Sequence, residues 1–328
     1  FSSRYTRYYI RYTRYAERSE AYLMTKLKLG IHTGFATNRF PEPEVWSRIV
    51  GEELGLKYVQ FTIDLLNPFL PKIVIDREVE KIKKYARKYN IKIDTAFGST
   101  FSRINHLMHP DALQRKVWFN WIKRWFKISA DLEVRGCGLH FGIISVEDFA
   151  NERRRKFLIE EAISSWRKLA RFGAKLGLEF ILFEPMSIQR EVPCTIDSTK
   201  ELLERVNENS LPIPIRLCLD VDHRNSASSD PRDGDPYAWL RELAQFAPVI
   251  HMKQSAKDNT GHHWPFTKEY NKRGIITPPK VIEAINASGA KDVVLLFEIS
   301  HRERYPMECR VVDDLKESVE YWRKYIKE

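Results

Sequence analysis

Short apolar runs alternate with longer amphipathic segments along the chain from about residue 26 onward. The apolar runs are rich in β-branched residues, which is typical of buried strands, and the segments between them carry apolar residues at helical spacing. The predicted strands span 27–32, 58–63, 91–97, 136–140, 179–184, 215–220, 249–252 and 293–298. The predicted helices span 43–54, 78–89, 110–132, 152–176, 198–207, 236–246, 278–287 and 313–326.

Eight strand–helix units in about 300 residues predict an α/β fold of the (β/α)8 TIM barrel type. An open, doubly wound sheet would need a Gly-rich phosphate loop after an early strand, and the sequence contains neither GxGxxG nor GxxxxGK[ST]. The polar stretch 223–235 (HRNSASSDPRDGD) has the composition of a linker, but it lies between a predicted strand and its helix, where a barrel carries its catalytic-face loops. We therefore predict a single barrel domain over residues 24–328.

The first 23 residues, FSSRYTRYYIRYTRYAERSEAYL, depart from this pattern. Arg and Tyr recur in them, and no apolar stripe is present that could join a core. Our hypothesis is that residues 1–23 are an extension outside the domain and that Met24 is the initiator. A mitochondrial transit peptide is the alternative, against which Glu17 and Glu20 argue.

The composition, 43% hydrophobic and 30% charged residues, is typical of a soluble globular protein with a sizeable core. No apolar run approaches the length of a membrane span or resembles a secretory signal. The four cysteines are far apart and form no CxxC pair, so we expect neither a disulfide framework nor a zinc–thiolate site. These features together favour a cytoplasmic location and no membrane partner.

The chain carries a formal net charge of +10, to which the five Arg and two Glu of the first 23 residues contribute +3. The remaining surplus is diffuse and forms no Lys/Arg block of the kind that follows a phosphate backbone. We therefore predict no nucleic-acid partner. A basic surface also suits anionic metabolites such as sugar phosphates.

Six predicted strands end in side chains that can bind a metal ion or move a proton. A single carboxylate there is often a helix cap, and a single His is often structural. The six residues, in chain order, are His32, His140, Glu184, Asp220, His251 and Glu298, and His223 follows Asp220 by three positions.

Four of these residues, Glu184, Asp220, His251 and Glu298, end four consecutive strands, so they converge on one side of the barrel mouth. Three carboxylates packed together without a cation would repel one another and take up protons. The set therefore predicts one divalent metal ion held by three oxygen donors and one imidazole. We expect Mn²⁺ first, with Mg²⁺, Co²⁺ or Zn²⁺ as alternatives.

The motifs around these residues are FEP at 183–185, LDxxH at 219–223, IHMK at 250–253 and FE at 297–298. With them the chain resembles the sugar isomerase/epimerase branch of the xylose-isomerase-like barrels over residues 27–327. The resemblance implies the same four metal ligands. The segments HLMHPD (106–111), FEPMSIQRE (183–191), HWPFT (263–267) and FEISHRE (297–303) are most similar to bacterial enzymes that act on tetrulose phosphates and similar short sugars.

The resemblance further implies an isomerase or epimerase in which Glu184 and Glu298 lie on opposite faces of a bound ketose. The metal polarises the carbonyl, one glutamate removes the neighbouring proton, and a cis-enediolate forms. In a ketose 3-epimerase the other glutamate returns a proton on the opposite face. In an aldose–ketose isomerase the proton goes to the adjacent carbon. The sequence leaves this choice, the sugar and its phosphorylation open.

Further residues are candidates for contact with the sugar or sugar phosphate, each with a structural alternative. His32 and His140 face the substrate or support the site, and His223 donates to a substrate oxygen or caps its loop. Cations that follow the ligand strands could hold a phosphate or could be solvated loop charges. An aromatic residue could wall off the sugar or join the core. These last candidates are Arg190, Lys253, Arg302 and Trp264.

Two other functions, and the question of assembly, remain open. A dehydratase or lyase could use the same metal and enediolate. Endonuclease IV shares the fold but needs three zinc ions and more His ligands, and strands 2 and 3 end without His. A homo-oligomer is open, because members of the family often form dimers or tetramers.

Overall fold

The computed structural model describes residues 24–99, 102–208, 210–257 and 261–326. Eight parallel strands form a closed barrel in which each strand pairs with its neighbours in chain order, which confirms the predicted TIM barrel. The predicted extension, residues 1–23, lies outside the described residues. The strands are β1 Lys26–His32, β2 Tyr58–Thr62, β3 Lys92–Phe97, β4 Gly136–His140, β5 Phe180–Glu184, β6 Ile215–Asp220, β7 Val249–Met252 and β8 Asp292–Phe297.

A helix follows each strand, as predicted, and the differences are at the helix ends. The second helix begins at Lys72 rather than residue 78, directly after Pro71, and the first ends at Arg48 and continues as a π-helical turn, Ile49–Glu53. The helices are α1 Pro43–Arg48, α2 Lys72–Lys88, α3 Ala112–Asp131, α4 Glu152–Lys175, α5 Ile196–Asn207, α6 Pro236–Leu243, α7 Pro278–Ser288 and α8 Val311–Arg323.

Shorter helical pieces lie in the loops, many of them directly after a strand. Two are single α-helical turns, Val146–Ala150 and Lys268–Asn271. The rest are 3₁₀ turns: Thr33–Ala36, Ile63–Leu65, His106–Met108, Pro231–Gly234, Ala244–Phe246 and Met307–Cys309. Among the described residues, no helix is long and apolar enough to cross a membrane.

The side chains of each strand alternate between the barrel interior and the surrounding helices, because successive residues of a strand point to opposite faces. One set packs under α1 to α8 in the large outer core. The other set fills the barrel itself, so that the barrel is a packed core and leaves room for a cleft only at its mouth. This inner set comprises Phe97, Phe180, Leu182, Cys218, Val249, Val294 and Leu296.

Two short strands that the sequence pattern did not predict form a separate antiparallel sheet. Gly142–Ile143, after β4, pairs with Glu191–Val192, after β5. This small sheet ties together two loops on the side of the barrel where the strands end. Strands of two residues lie below the length at which an alternating pattern can be recognised in sequence.

Strands β4 and β5 approach each other closely, and glycine makes this possible. A Cβ atom on Gly138 would lie 1.9 Å from the carbonyl oxygen of Leu182. Because interiors are close-packed, such a contact can be relieved only by moving the strands apart. Gly138 therefore sets the spacing next to His140 and Glu184, which are paired at the ends of these strands.

We expect Gly138→Ala to lower the free energy of unfolding by about 3 kcal/mol, the upper end of the usual cost of overpacking. Urea denaturation followed by circular dichroism measures the change. Gly234→Ala is the matched control, because a Cβ there meets no heavy atom within 4 Å, and its effect should stay within about 0.5 kcal/mol. Equal stability of the two variants would contradict this account of β4.

Candidate metal centre

The predicted ligands lie together at the barrel mouth. Ligand atoms of Glu184, Asp220, His251 and Glu298 all lie within 4.8 Å of one another. The first three end or nearly end β5, β6 and β7, and Glu298 directly follows β8. We call these four residues the cage.

The strand alternation explains why all four point inward. Each ligand lies two residues beyond an apolar residue of the barrel interior, and positions i and i+2 of a strand share a face. The apolar partners, in the same order, are Leu182, Cys218, Val249 and Leu296. The cage is therefore the polar top layer of the packed barrel.

His251 is fully buried, and its ring is fixed from both sides. Its Nε2 lies 2.6 Å from Oε1 of Gln60 on β2, and the amide nitrogen of Gln60 donates to Thr95 Oγ1 at 3.2 Å. The amide oxygen thus accepts from Nε2–H, so Nδ1, which faces the cage, would present its lone pair to a bound metal ion. Nδ1 lies 3.0 Å from Glu184, 3.4 Å from Glu298 and 4.0 Å from Asp220.

The donor set of the cage fits a divalent cation. Carboxylate oxygens and an imidazole nitrogen bind Mn²⁺, Mg²⁺ or Zn²⁺ at about 2.0–2.2 Å, so ligand atoms a few ångström apart can share one ion. A second group, Glu184, Cys218 and His251, is also compact. Cys218, however, belongs to the apolar layer below the cage, and its Sγ lies 3.3 Å from Nε2 of His251, the ring nitrogen that faces Gln60 rather than the carboxylates.

Lys253 contributes a positive charge to the cage. Its side chain is fully buried, with Nζ 2.6 Å from Asp220 Oδ2, 2.5 Å from Glu298 Oε2 and 2.9 Å from His263 Nδ1. Burial disfavours the ammonium ion, but the two carboxylates outweigh burial and raise the pKa of Lys253. The sequence predicted a contact with substrate here, and the structure places this cation against two carboxylates of the cage.

A cleft opens over the cage as two adjoining cavities. Both are lined by Ser99, His263 and Glu298. The first is also lined by Phe97, Gly98, Arg103, His140, Glu184, Met186 and His223. The second is lined in addition by His32, Gly34, Phe35, Thr37, Arg39, Asp64, Ile299, Ser300 and His301. The candidates His32, His140 and His223 therefore lie at the cleft with both glutamates.

The histidines of the cleft have defined partners. Burial lowers the pKa of both His32 and His140 to about 4, so both rings are neutral at neutral pH. His32 Nδ1 accepts from the Gly34 amide at 3.1 Å, and His140 Nε2 donates to the Ile104 carbonyl at 2.8 Å. Nδ1 of His223 lies 3.1 Å from the carbonyl oxygen of Pro185.

His223 also contacts the cage. Its Nδ1 lies 3.5 Å from Glu184, and its Nε2 lies 3.6 Å from Asp220. The ring therefore bridges the ends of β5 and β6 at the edge of the cleft.

Three candidates lie elsewhere, and none of them lines either cavity. Arg190 donates to the Ile144 carbonyl at 2.8 Å beside the two-stranded sheet. Trp264 packs against His262, with ring centroids 4.0 Å apart. Arg302 is exposed on the loop after β8. Position in the sequence after a ligand strand does not by itself turn a side chain toward the cleft.

Arg103 lines the cleft, as Arg39 does, and the sequence singled out neither arginine. Nε of Arg103 lies 3.0 Å and its Nη2 2.5 Å from the two carboxylate oxygens of Glu191, in a bidentate pair. Glu191 is buried in the two-stranded sheet, 88 residues further along the chain. Only the folded chain brings this pair to the barrel mouth.

Comparison with known proteins gives consistent matches. The family model for the xylose isomerase-like TIM barrel matches residues 48–325. The D-erythrulose 1-phosphate 3-epimerase of Brucella abortus (strain 2308) is 34% identical over 300 residues, which cover 92% of this chain and 96% of that protein.

Solved structures have the same fold. A protein from Rhodospirillum rubrum ATCC 11170 has a TM-score of 0.82 at 27% identity, and the match covers 91% of this chain and 99% of that one. The D-psicose 3-epimerase of Clostridium cellulolyticum H10, solved with D-tagatose, has a TM-score of 0.68 at 16% identity, with 92% and 99% covered. The chain belongs to the xylose isomerase-like TIM barrel family.

Proposed function

We propose that the protein is a divalent-metal-dependent 3-epimerase of a short ketose phosphate. The observation that carries this proposal is the position of Glu184 and Glu298, which belong to the cage and also line the cleft. The 34% identical relative is named as an epimerase of D-erythrulose 1-phosphate, which supports a phosphorylated four-carbon substrate.

The two glutamates supply the acid and the base. A divalent cation in the cage would polarise the C2 carbonyl and acidify the C3–H bond. One glutamate, ionised, takes the C3 proton, and the electron pair of that bond moves onto the carbonyl oxygen to give a cis-enediolate. The other glutamate, protonated, gives its proton to C3 from the opposite face. Each turnover exchanges the protonation states of the two residues, and exchange with solvent restores them.

The order of the strands supports separate acid and base roles for the two glutamates. Glu184 comes from β5 and Glu298 from β8, with β6 and β7 between them, so the two carboxylates reach the cleft from different sides. An aldose–ketose isomerase would use the same first proton transfer and return the proton to the neighbouring carbon. The product, a C3 epimer or an aldose, separates the two reactions.

Arg103 supports a phosphorylated substrate. It lines the same cavity as both glutamates, and Glu191 holds its Nε and Nη2. The pair fixes the guanidinium plane and leaves Nη1 for a ligand. Guanidinium groups bind phosphate well because their donors match its oxygens.

We expect Glu184→Gln and Glu298→Gln each to lower epimerisation of D-erythrulose 1-phosphate at least about 100-fold, the usual contribution of a positioned acid or base. Each variant keeps one base, so it should still exchange the C3 proton of one epimer but not of the other. In D₂O this exchange removes the C3 proton signal, which ¹H NMR follows. Glu179→Gln, at an exposed position just before β5, should keep full activity.

Measuring the metal content of the two glutamate variants distinguishes the loss of an acid or base from the loss of the metal ion. Full turnover by either variant with metal bound would contradict the two-glutamate mechanism.

We expect Gln60→Leu to weaken metal binding about 10- to 100-fold, because His251 loses the acceptor that orients it. Titration of the metal-free protein with Mn²⁺, followed by calorimetry, measures the dissociation constant. Gln114→Leu, on the exposed face of α3, is the control and should bind as the wild type does. Unchanged affinity in Gln60→Leu would show that Gln60 does not orient the ligand.

We expect Arg103→Met to raise KM for D-erythrulose 1-phosphate at least about tenfold, the equivalent of one charge-assisted hydrogen bond of roughly 1.5–3 kcal/mol. Turnover of unphosphorylated D-erythrulose at saturation should change little. Arg302→Met, on an exposed loop, is the control. Equal losses on both substrates would assign Arg103 a structural role.

A further inference from the structure

We infer that His263 is a substrate-contacting hydrogen-bond donor, held by Lys253 as the neutral tautomer with its proton on Nε2. The inference rests on the proposed function, because the acceptor is an oxygen of the ketose next to the reacting carbon. It adds a third group to the two glutamates and is not apparent from the strand-end pattern.

His263 lines both cavities of the cleft, together with Glu298, the glutamate that follows β8. Its carbonyl oxygen accepts from the Ser300 amide at 3.1 Å, and the next residue, Trp264, exchanges two backbone hydrogen bonds with Gln254 at 2.8 and 3.2 Å. The backbone is thus tied to the loops after β7 and β8.

The conformation of His263 is itself unusual. Its φ is +50°, in the left-handed region that non-glycine residues seldom adopt and that costs about 1–2 kcal/mol. Residues held in this region occur preferentially at functional sites, where the surrounding contacts impose the conformation. Here the ties to Ser300 and Gln254 hold the ring over the cage.

Lys253 determines where the ring proton lies. An ammonium group has three protons and no lone pair, so it can only donate. Its three neighbours are Asp220 Oδ2, Glu298 Oε2 and His263 Nδ1, at 2.6, 2.5 and 2.9 Å. Nδ1 of His263 must therefore accept, which places the proton of the neutral ring on Nε2.

The same contact keeps the ring neutral, because a ring nitrogen that accepts a hydrogen bond from Nζ at 2.9 Å carries no proton of its own. Among the residues that the structure describes, none is hydrogen-bonded to Nε2 of His263. A neutral N–H donor in the cleft is therefore available to a ligand.

Such a donor suits the proposed reaction. When the C3 proton leaves, negative charge develops on the ketose oxygens, and a fixed donor stabilises the transition state more than the ground state. A neutral imidazole does this without adding a proton to the charge balance of the cage. Lys253 keeps the acceptor side of the ring occupied, so the ring cannot turn over to present Nδ1.

The adjacent His262 provides a matched comparison within the same loop. Its ring packs on Trp264 and its Nδ1 lies 3.3 Å from Ser255 Oγ, and it lines neither cavity. Substituting each histidine separately therefore distinguishes a contact with substrate from a general effect of altering the loop.

The test uses the full chain loaded with Mn²⁺ and D-erythrulose 1-phosphate as the probe. We expect His263→Phe to lower kcat about 100-fold, the effect of removing one transition-state donor, with KM changed much less. His263→Gln, whose amide N–H can replace Nε2–H, should recover to within about tenfold of wild type. His262→Phe should retain wild-type kcat.

Equal loss in the Phe and Gln variants, or no loss in the Phe variant, would overturn the inference. A second measurement does not depend on turnover: ¹⁵N NMR of the histidine-labelled, Mg²⁺-loaded chain at pH 7. We expect one signal from a neutral ring protonated on Nε2, and this signal should disappear in His263→Gln. A ring at this position that is protonated on Nδ1, or on both nitrogens, would refute the inference. Wild-type protein inactive on every ketose phosphate would refute the proposed function instead, while the NMR result would still decide the tautomer.

Discussion

Three carboxylates meet at the mouth of the barrel, and their mutual repulsion is the constraint on which the rest of the site depends. Glu184, Asp220 and Glu298 together carry a charge of −3 when ionised, in surroundings that exclude most of the water. Lys253 supplies +1 from behind, and a divalent cation would supply the remaining +2. The cage is then electrically neutral with all three carboxylates ionised, and the proton that one glutamate carries in the proposed reaction adds a single positive charge.

The barrel makes this concentration of charge possible. Parallel strands in a closed sheet all end on one side, and the alternation of side chains turns every second residue inward. The layers below are apolar and tightly packed, and between β4 and β5 they leave no room for even a Cβ on Gly138. The charged top layer therefore rests on a rigid base, which keeps the ligand atoms near one another despite their repulsion.

The fold and the convergence of the four cage residues could be predicted from the sequence because they depend on local regularities. Eight alternating units identify the barrel, and strand ends identify Glu184 and Asp220. The same alternation could also have predicted that Lys253 points toward the cage, because it lies two residues after His251 and so shares its face. Gln60 and Arg103 are different, because they act on partners 191 and 88 residues away, and no local pattern records which inward residues meet across a barrel.

Lys253 links the two halves of the site. The same ammonium group that compensates Asp220 and Glu298 also donates to His263, so the charge of the cage and the tautomer of the cleft histidine depend on one side chain. An uncharged residue at position 253 would leave an excess negative charge on the cage. It would also leave the ring of His263 free to rotate. In the proposed reaction, this buried lysine would therefore influence catalysis without touching the substrate, because it determines which atom of the neighbouring imidazole faces the cleft.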